Sequence, residues 1–253
     1  MELINGDAIE ELQKIKNDSI DCIITSPPYW KGFEYEAYFN SYKQYIDWCT
    51  KWLSECKRVL APYGTFYLNV ANDSETTVRV YELLDICNQL MFKLHDTIIW
   101  YCYNRQPANT TRQLTNQTEY VLMLRHSSAG VELNKKKTYE YNSDIFKTKN
   151  VGNVWEIPFN KGEKIHFAKK ETKSKWGHSG FPLALPETCI LLSTNEGDTV
   201  LDCFMGSGTT GVACKQLNRN FIGIELHEDI FNVAKERINE SQVKLEVFGN
   251  EDG

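Results

Sequence analysis

Short apolar runs alternate along the chain with segments in which apolar residues recur every three or four positions. The run at residues 20–24 is followed by prolines, and such a continuous run is typical of a strand buried inside a parallel sheet. Residues 42–60 show the three-to-four spacing of a helix that lies on a sheet. The alternation of the two patterns predicts an α/β fold built as one large domain.

The same patterns predict the order of the other elements. Strands are predicted at residues 2–5, 65–70, 95–103, 119–124, 198–202 and 220–225, and helices at residues 8–15, 78–91, 180–192 and 227–239. Pro62, Tyr63 and Gly64 predict a turn before the strand at residues 65–70. Between residues 126 and 180 the periodicity fades, and neither a helix nor a long strand is predicted there.

The loop after the first apolar run combines a hydroxyl group, two prolines and two aromatic rings; its residues are Thr25, Ser26, Pro27, Pro28, Tyr29 and Trp30. Proline lacks an N–H group and has a fixed φ, so the loop is stiff and offers carbonyl oxygens without local donors. Loops at the carboxyl ends of parallel strands are also where open sheets bind ligands. A planar substrate with an amino group fits, because Ser26 Oγ and the Pro27 carbonyl can accept its two protons while Tyr29 or Trp30 stacks on its ring.

A second candidate site is a glycine turn that leads from a strand into a helix; its residues are Gly206, Ser207, Gly208, Thr209 and Thr210. The glycines permit positive φ and a close approach of a ligand, and either threonine is placed to cap the helix. Glu225 ends the next strand, where a carboxylate can accept from two ribose hydroxyls. Gly211 completes the spacing of a dinucleotide-binding motif, so that alternative stays open, although the turn contains no Lys or Arg for a pyrophosphate.

Residues 25–30, with the sequence TSPPYW, resemble the catalytic motif of the DNA amino-methyltransferases, which transfer a methyl group from S-adenosylmethionine to N4 of cytosine or N6 of adenine. Residues 204–208, FMGSG, resemble the F-x-G-x-G cofactor motif of the same family. The catalytic motif precedes the cofactor motif, as in the permuted β group. The resemblance covers nearly the whole chain and implies a doubly wound, mostly parallel Rossmann-like methyltransferase sheet with a small irregular recognition segment.

The resemblance also implies roles for individual residues. It assigns catalysis to Ser26, Pro27, Pro28 and Tyr29, and cofactor binding to Asp7, Asp202, Phe204, Gly206, Gly208, Thr209 and Glu225. Asp7 is also placed to cap the first helix, which is an alternative role for its carboxylate. The implied organisation is a catalytic half at residues 1–125, a target-recognition segment at 126–180, a cofactor-binding half at 181–240 and a tail at 241–253.

Composition agrees with a single intracellular enzyme domain. The chain has 253 residues, of which 42% are hydrophobic, enough to bury one substantial core. Its eight cysteines are scattered, form no C-x-x-C pair and do not cluster with histidine, so we expect reduced core residues and no metal site. No apolar run reaches about 18 residues and no signal-like segment is present at the amino terminus, so no membrane association is expected.

Charge is unevenly distributed along the chain. The net charge is −6, yet residues 134–175 contain eleven Lys against five Asp or Glu, which gives +6 there and leaves −12 elsewhere. Lysines interleaved with aromatic rings suit contact with nucleic-acid phosphates and bases, and a solvated insertion is the alternative. The lysines predicted to contact DNA are Lys135, Lys136 and Lys137.

A polar loop without acidic residues at 104–112 adds two further candidates for DNA contact. Arg105 and Arg112 are predicted to contact phosphate or guanine, or else to pair with a nearby acid. The resemblance implies double-stranded DNA as the substrate and leaves open a homodimer and a cognate restriction endonuclease as further partners.

The expected reaction is direct transfer of the methyl group to an amino nitrogen of a base flipped out of the duplex. No Pro-Cys pair is present, which argues against methylation of a ring carbon through a nucleophilic cysteine. In the family, Ser-Pro-Pro-Tyr is found chiefly in cytosine-N4 enzymes, so Ser26 favours cytosine over adenine N6. Further alternatives are an RNA or small-molecule methyltransferase, a dinucleotide-dependent enzyme and a silent DNA-binding module.

Overall fold

The computed structural model describes residues 1–30, 39–71, 77–105, 114–126, 132–146, 151–159 and 180–243. Within these ranges the strands are β1 (Glu2–Asn5), β2 (Ile20–Thr25), β3 (Leu60–Ala71), β4 (Lys93–Tyr101), β5 (Thr118–Arg125), β6 (Val154–Glu156), β7 (Thr199–Asp202) and β8 (Asn220–Glu225). The helices are α1 (Ala8–Leu12), α2 (Tyr42–Val59), α3 (Thr77–Gln89), α4 (Lys135–Tyr141), α5 (Ala184–Ser193), α6 (Thr209–Gln216) and α7 (Glu228–Glu240).

The described strands form one sheet in the order β1-β8-β7-β2-β3-β5-β4-β6. Neighbouring strands are parallel except at β5, which is antiparallel to both β3 and β4. The prediction of a mostly parallel α/β sheet is confirmed. From the central pair β2 and β7, the chain continues to β3 on one side and to β8 on the other, and open sheets bind ligands at such a switch point.

Helices cover both faces of the sheet. On one face α1, α2 and α3 pack over a core that includes Leu12, Trp52 and Leu83. On the other face α4, α5, α6 and α7 pack over a second core, to which Leu191 and Ile238 belong. All eight cysteines are buried as free thiols, which confirms that they are reduced core residues. Among the described helices, none is long and apolar enough to cross a membrane.

Helix α2 follows from the pattern that predicts it. Ser41 caps its amino end, where Ser41 Oγ accepts from the Gln44 N–H at 3.3 Å. Its buried side chains recur with helical spacing and form one stripe against the sheet: Tyr45, Cys49, Trp52, Leu53, Cys56 and Val59. The helix ends where the backbone becomes extended at Leu60 and enters β3 directly.

The prediction of a turn at residues 62–64 is wrong, because these residues lie inside β3. The structure runs from α2 straight into β3, and the residues concerned make an irregularity inside that strand. Ile20 pairs with Leu60 and Cys22 pairs with Thr65, so two steps along β2 correspond to five along β3. A Cβ atom on Gly64 would lie 2.6 Å from Leu60 Cδ1, which explains the glycine at this bend.

The region from 126 to 180 contains regular structure that the sequence pattern does not predict. Helix α4 packs on α5, where Tyr141 OH donates to Glu187 Oε1 at 2.9 Å. Strand β6 extends the sheet beside β4 and buries Trp155 completely. Both elements are too short, and α4 too rich in lysine, to show a clear hydrophobic period. The described part of this region therefore packs against the same core as the rest of the domain.

Candidate active site

The carboxyl ends of the parallel strands bring most of the predicted site residues to one edge of the sheet. We call it the carboxyl edge; it carries Ser26, Pro27, Pro28, Tyr29, Asp7, Asp202, Phe204, Gly206, Gly208, Thr209, Glu225 and Arg105. Because β5 runs antiparallel, its first residues, including Glu119, lie at the same edge. Arg112 lies outside the described residues.

We call residues 26–30, for which catalysis is predicted, the catalytic loop. Two of its hydroxyl groups are joined by a hydrogen bond whose direction can be assigned. Tyr29 OH donates its single proton to the Asn69 carbonyl at 3.1 Å. Ser26 Oγ forms a short hydrogen bond with Tyr29 OH, so the serine must be the donor in that contact. The lone pairs of Ser26 Oγ therefore stay available, as the predicted acceptor role requires. The pattern of the sequence gives no sign of Asn69, which lies 40 residues from Tyr29.

The two proline carbonyls of the loop differ in their contacts. Tyr45 OH donates to the Pro28 carbonyl at 3.1 Å. No described residue donates to the Pro27 carbonyl, which was predicted to accept from the substrate. Immediately after Tyr29, Trp30 takes a left-handed backbone conformation with φ 53° and turns the chain away from the strand direction.

Asp202 connects the end of β2 to the glycine turn through hydrogen bonds. Its Oδ1 accepts from Thr25 Oγ1 at 2.7 Å and from the Phe204 N–H at 3.2 Å, and its Oδ2 accepts from Thr210 Oγ1 at 2.6 Å. The side chain is buried, and burial raises the pKa of Asp202 to about 6. Its contacts are with the protein's own donors, so the structure places Asp202 behind the turn as a brace.

The hydroxyl of Thr210 is used by Asp202, and this corrects the prediction that a threonine caps α6. Helix α6 begins after Gly208, which has φ 81° and provides no side-chain cap. Thr209, predicted to contact the cofactor, is the first residue of the helix and lies at the carboxyl edge.

The glycines of the turn serve different purposes. A Cβ atom on Gly206 would have no neighbouring atom within 4 Å, although its φ of 51° favours glycine. A Cβ atom on Gly208 would lie 3.0 Å from Ala234 Cβ, and one on Gly211 would lie 2.4 Å from Ile238 Cδ1. Gly206 therefore leaves space in front of the turn, whereas the other two permit close packing of α6 on α7.

One carboxylate, Glu225, contacts the turn, and a second, Asp7, follows β1, the strand beside β8. Glu225 Oε2 accepts from the Gly206 N–H at 3.0 Å and its Oε1 accepts from the His227 N–H at 2.9 Å, while burial raises the pKa of Glu225. Asp7 Oδ1 caps α1 by accepting from two backbone N–H groups, so its alternative role is present. Carboxylate oxygens have further lone pairs, so both groups can still accept from a ligand.

Two more side chains support the turn from neighbouring helices. The Phe204 ring packs on Trp48 with ring centroids 5.4 Å apart and meets Trp52 edge-on at 5.1 Å. Arg237, on α7, donates to Ser207 Oγ at 2.7 Å and to the Ser207 carbonyl. Local sequence does not predict this arginine, because it lies 30 residues from the serine it contacts.

The surroundings of Gly206 fit a phosphate-free nucleoside ligand that carries positive charge. Asp7 and Glu225 supply acceptors for hydroxyl or amino groups, and Phe204 supplies an aromatic surface. Arg237, which contacts the turn, already donates to Ser207, and this does not favour a pyrophosphate group. Within the described ranges, no group of three His, Cys, Asp or Glu side chains is arranged to bind a metal ion.

Arg105 forms an ion pair with Glu119, which is the alternative that the sequence allowed for it. Its guanidinium also lies over the ring of Phe159, 5.4 Å from the centroid. Glu119 Oε2 accepts in turn from Asn69 Nδ2 at 3.2 Å. Arg105 is thus connected through Glu119 and Asn69 to the tyrosine of the catalytic loop.

The structure does not bring the three predicted DNA-contacting lysines to the carboxyl edge. Lys135, Lys136 and Lys137 occupy the first turn of α4, whose preceding residue Asn134 bonds to the Leu192 carbonyl at the far end of α5. Burial and the nearby Arg219 lower the pKa of Lys137. Arg219 immediately precedes β8, so these lysines lie near the amino ends of the parallel strands.

Comparison with known proteins identifies the family of this chain. The DNA methylase profile of the N6/N4 methyltransferase family matches residues 20–236. The Type II methyltransferase M.HpaI from Haemophilus parainfluenzae is 33% identical over 244 residues, which cover 94% of this chain and 74% of M.HpaI. The DNA adenine methyltransferase YhdJ from Escherichia coli (strain K12) is 29% identical over 255 residues, covering 94% of this chain and 82% of YhdJ.

Solved structures show the same fold. The cytosine-N4-specific PvuII DNA methyltransferase superposes with a TM-score of 0.75 at 21% identity and covers 93% of this chain and 85% of its own. The M1.HpyAVI–SAM complex superposes with a TM-score of 0.64 at 27% identity and covers 93% of this chain and 98% of its own. The chain therefore belongs to the N6/N4 DNA methylase family and is a DNA amino-methyltransferase that uses S-adenosylmethionine.

Proposed function

We propose that this enzyme methylates the exocyclic N4 nitrogen of cytosine in double-stranded DNA. The observation that supports transfer to an amino group of either base is the direction of the Ser26–Tyr29–Asn69 hydrogen bonds, which leaves Ser26 Oγ as an acceptor. Serine at this position, within Ser-Pro-Pro-Tyr, favours cytosine in the family that the sequence resembles. The resulting assignment is catalysis by Ser26, Pro27 and Tyr29, with Pro28 holding the shape of the loop.

The catalytic loop has to orient the amino group of the base and does not have to form a covalent bond to it. An exocyclic amine is a weak nucleophile, because its lone pair is delocalised into the ring. Ser26 Oγ and the Pro27 carbonyl accept the two N–H groups and favour a pyramidal nitrogen, whose lone pair then points away from both acceptors. Alignment and fixed dipoles supply most of the rate enhancement.

Asp7, Glu225 and Phe204 are proposed to hold the cofactor in the space in front of Gly206. When bound, S-adenosylmethionine supplies a methyl group activated by a sulfonium. The two carboxylates accept from its hydroxyl or amino groups and favour its positive charge. Gly206 and Ser26 follow the neighbouring strands β7 and β2, which supports a methyl donor and an amine acceptor meeting between them.

The target base cannot reach Ser26 while it is stacked in a duplex. We infer that it is flipped into the pocket at a cost of a few kcal/mol and stacks on the ring of Tyr29. The hydrogen bond from Tyr29 OH to Asn69 supports this role, because it fixes the plane of the ring before a base arrives. A homodimer and a cognate restriction endonuclease stay predictions from the family resemblance.

Adenine N6 is the second candidate. It is favoured by the 29% identity to YhdJ, which is named a DNA adenine methyltransferase. An adenine amino group offers the same two N–H donors to Ser26 and Pro27 as a cytosine amino group, so the described contacts serve either base.

Product analysis distinguishes the two bases. Plasmid DNA from a methylation-deficient host is incubated with the enzyme and S-adenosylmethionine, digested to nucleosides and analysed by mass spectrometry. We expect N4-methylcytosine, and N6-methyladenine as the only product would overturn the choice of cytosine. Competition with RNA of matched length tests whether duplex DNA is the preferred substrate.

A pair of serine variants tests the catalytic assignment. Ser26→Ala removes an acceptor for the amine, and we expect it to lower kcat about 100-fold. Ser19→Ala is the matched control, because its hydroxyl donates to the Lys16 carbonyl on the surface. Equal activity of the two variants would remove Ser26 from the mechanism.

A further inference from the structure

A tyrosine on helix α2 contacts the backbone of the catalytic loop. Tyr45 is fully buried, and its hydroxyl donates to the Pro28 carbonyl at 3.1 Å. Burial raises the pKa of Tyr45 well above its ordinary value, so the phenol stays protonated and remains a donor. The proposed roles of Ser26, Pro27 and Tyr29 leave this contact without an assignment.

The orientation of the Pro28 carbonyl controls the direction in which Tyr29 leaves the loop. Each proline ring fixes φ near −65°, so ψ is the soft dihedral that remains at Pro28. The Tyr45 hydrogen bond fixes the carbonyl and therefore this ψ. Rotation about ψ would move Tyr29, and with it the hydrogen bond from Ser26 Oγ to Tyr29 OH.

The preceding tyrosine of α2 makes a different contact. Tyr42 OH donates to Glu82 on α3, and the Tyr42 ring lies 4.1 Å from Cζ of Arg79. Tyr42 also packs on Trp30, with ring centroids 5.3 Å apart, but this contact uses the ring and not the hydroxyl. The two tyrosines therefore share a helix and an aromatic cluster, whereas only the hydroxyl of Tyr45 reaches the backbone of the catalytic loop.

The next turn of α2 supports the cofactor side. Trp48 lies 6.1 Å from the Tyr45 ring and 5.4 Å from the Phe204 ring. One helix thus contacts the catalytic loop through Tyr45 and the glycine turn through Trp48. Loss of the Tyr45 hydroxyl should disturb the first contact and leave the second in place.

We propose that Tyr45 is a positioning residue for methyl transfer, which holds the Pro28 carbonyl so that Ser26 and the Pro27 carbonyl face the amino group. This inference rests on the proposed function of the catalytic loop. It applies to cytosine and to adenine alike, because it concerns the acceptors and not the base.

The test compares Tyr45→Phe with Tyr42→Phe, which each remove one hydroxyl and keep the ring. Methyl transfer is measured in single turnover with tritiated S-adenosylmethionine and plasmid DNA from a methylation-deficient host. We expect Tyr45→Phe to lower the transfer rate about tenfold, because the Pro28 carbonyl loses its donor. Tyr42→Phe should stay within about twofold of the parent, because its partner Glu82 is part-exposed and lies outside the loop.

Binding of S-adenosylhomocysteine, measured by calorimetry, provides the second readout. We expect both variants to bind it like the parent, which also shows that they are folded. A parental rate for Tyr45→Phe, an equal loss of rate in the two variants, or a parallel loss of S-adenosylhomocysteine affinity would each overturn the proposal. If the product is N6-methyladenine, the cytosine assignment fails while the comparison of the two tyrosines stays decisive.

Discussion

The two loops that meet between β7 and β2 are held in place by different kinds of groups. The glycine turn is held by charged side chains, since Asp202, Glu225 and Arg237 all bond to it. The catalytic loop is held by neutral hydroxyl groups, from Tyr29 to the Asn69 carbonyl and from Tyr45 to the Pro28 carbonyl.

The difference matches what each loop is proposed to bind. A positively charged ligand gains from carboxylates beside the glycine turn. The amino group of a base requires acceptors that do not change with pH, and a hydroxyl and a carbonyl meet that requirement. Because its supports are charged, the stability of the glycine turn should depend on pH. The catalytic loop should depend instead on side chains that fix its backbone conformation.

The largest effect is expected from removing the charged brace behind the turn. Asp202→Ala leaves Thr25 Oγ1, Thr210 Oγ1 and the Phe204 N–H without their buried acceptor, and we expect a loss of about 3 to 5 kcal/mol in the free energy of unfolding. Urea denaturation measures this loss.

Asp198→Ala is the control, because its carboxylate accepts from the Asn195 N–H in a more exposed loop. A loss of less than about 1 kcal/mol for Asp202→Ala would show that the brace is dispensable.

The same carboxylate gives the charged loop a pH dependence. Burial raises the pKa of Asp202 to about 6, above its ordinary value of 3.8. The native state therefore binds the proton more tightly than the unfolded state, and stability from this group is present below pH 4 and lost as the pH rises through 6. The change is at most about 3 kcal/mol, from 1.36 kcal/mol per unit of pKa.

Comparison with Asp202→Asn isolates this contribution from those of other acids. The difference in unfolding free energy between the parent and Asp202→Asn should decrease as the pH is raised from 4 to 7. Urea denaturation at each pH measures it. A constant or increasing difference would show that the pKa of Asp202 is not raised.

Two glycines of the turn should respond differently to substitution, because one is packed against α7 and the other faces open space. Gly208→Ala places a Cβ atom against Ala234 at a positive φ and should cost about 1 to 3 kcal/mol of stability. Gly206→Ala meets no protein atom, so we expect a smaller stability loss and at least about a tenfold weaker affinity for S-adenosylhomocysteine, because the methyl group occupies the ligand's space. Thermal unfolding and calorimetry measure the two effects. Unchanged affinity in Gly206→Ala would place the ligand elsewhere.

The smallest effect is expected far from both loops. A variant with Lys135→Ala, Lys136→Ala and Lys137→Ala should bind duplex DNA within about twofold of the parent and keep its salt dependence, because these residues lie near the opposite ends of the strands. Fluorescence anisotropy across a salt series measures both quantities. A fall of about 3 in the slope of log affinity against log salt would show that DNA reaches that edge.

Much of the fold and part of the site could be predicted from local sequence. The apolar run at residues 20–24 and the glycines at 206 and 208 determine a strand and a turn by themselves, so their locations agree with the structure. The contacts of Asn69, Tyr45 and Arg237 could not be predicted, because each joins residues 17 to 40 positions apart. A charge run such as residues 135–137 likewise does not reveal which end of the sheet it occupies.

The position of β2 between β3 and β7 has a consequence for synthesis of the protein. The strand that leads into Ser26 is synthesised well before its neighbour β7, which begins only at Thr199. Until then one edge of a strongly apolar strand has no partner, and unpaired apolar edges promote aggregation. The bond between Thr25 and Asp202 spans 177 positions, so it can form only after the whole segment from β2 to β7 has been synthesised.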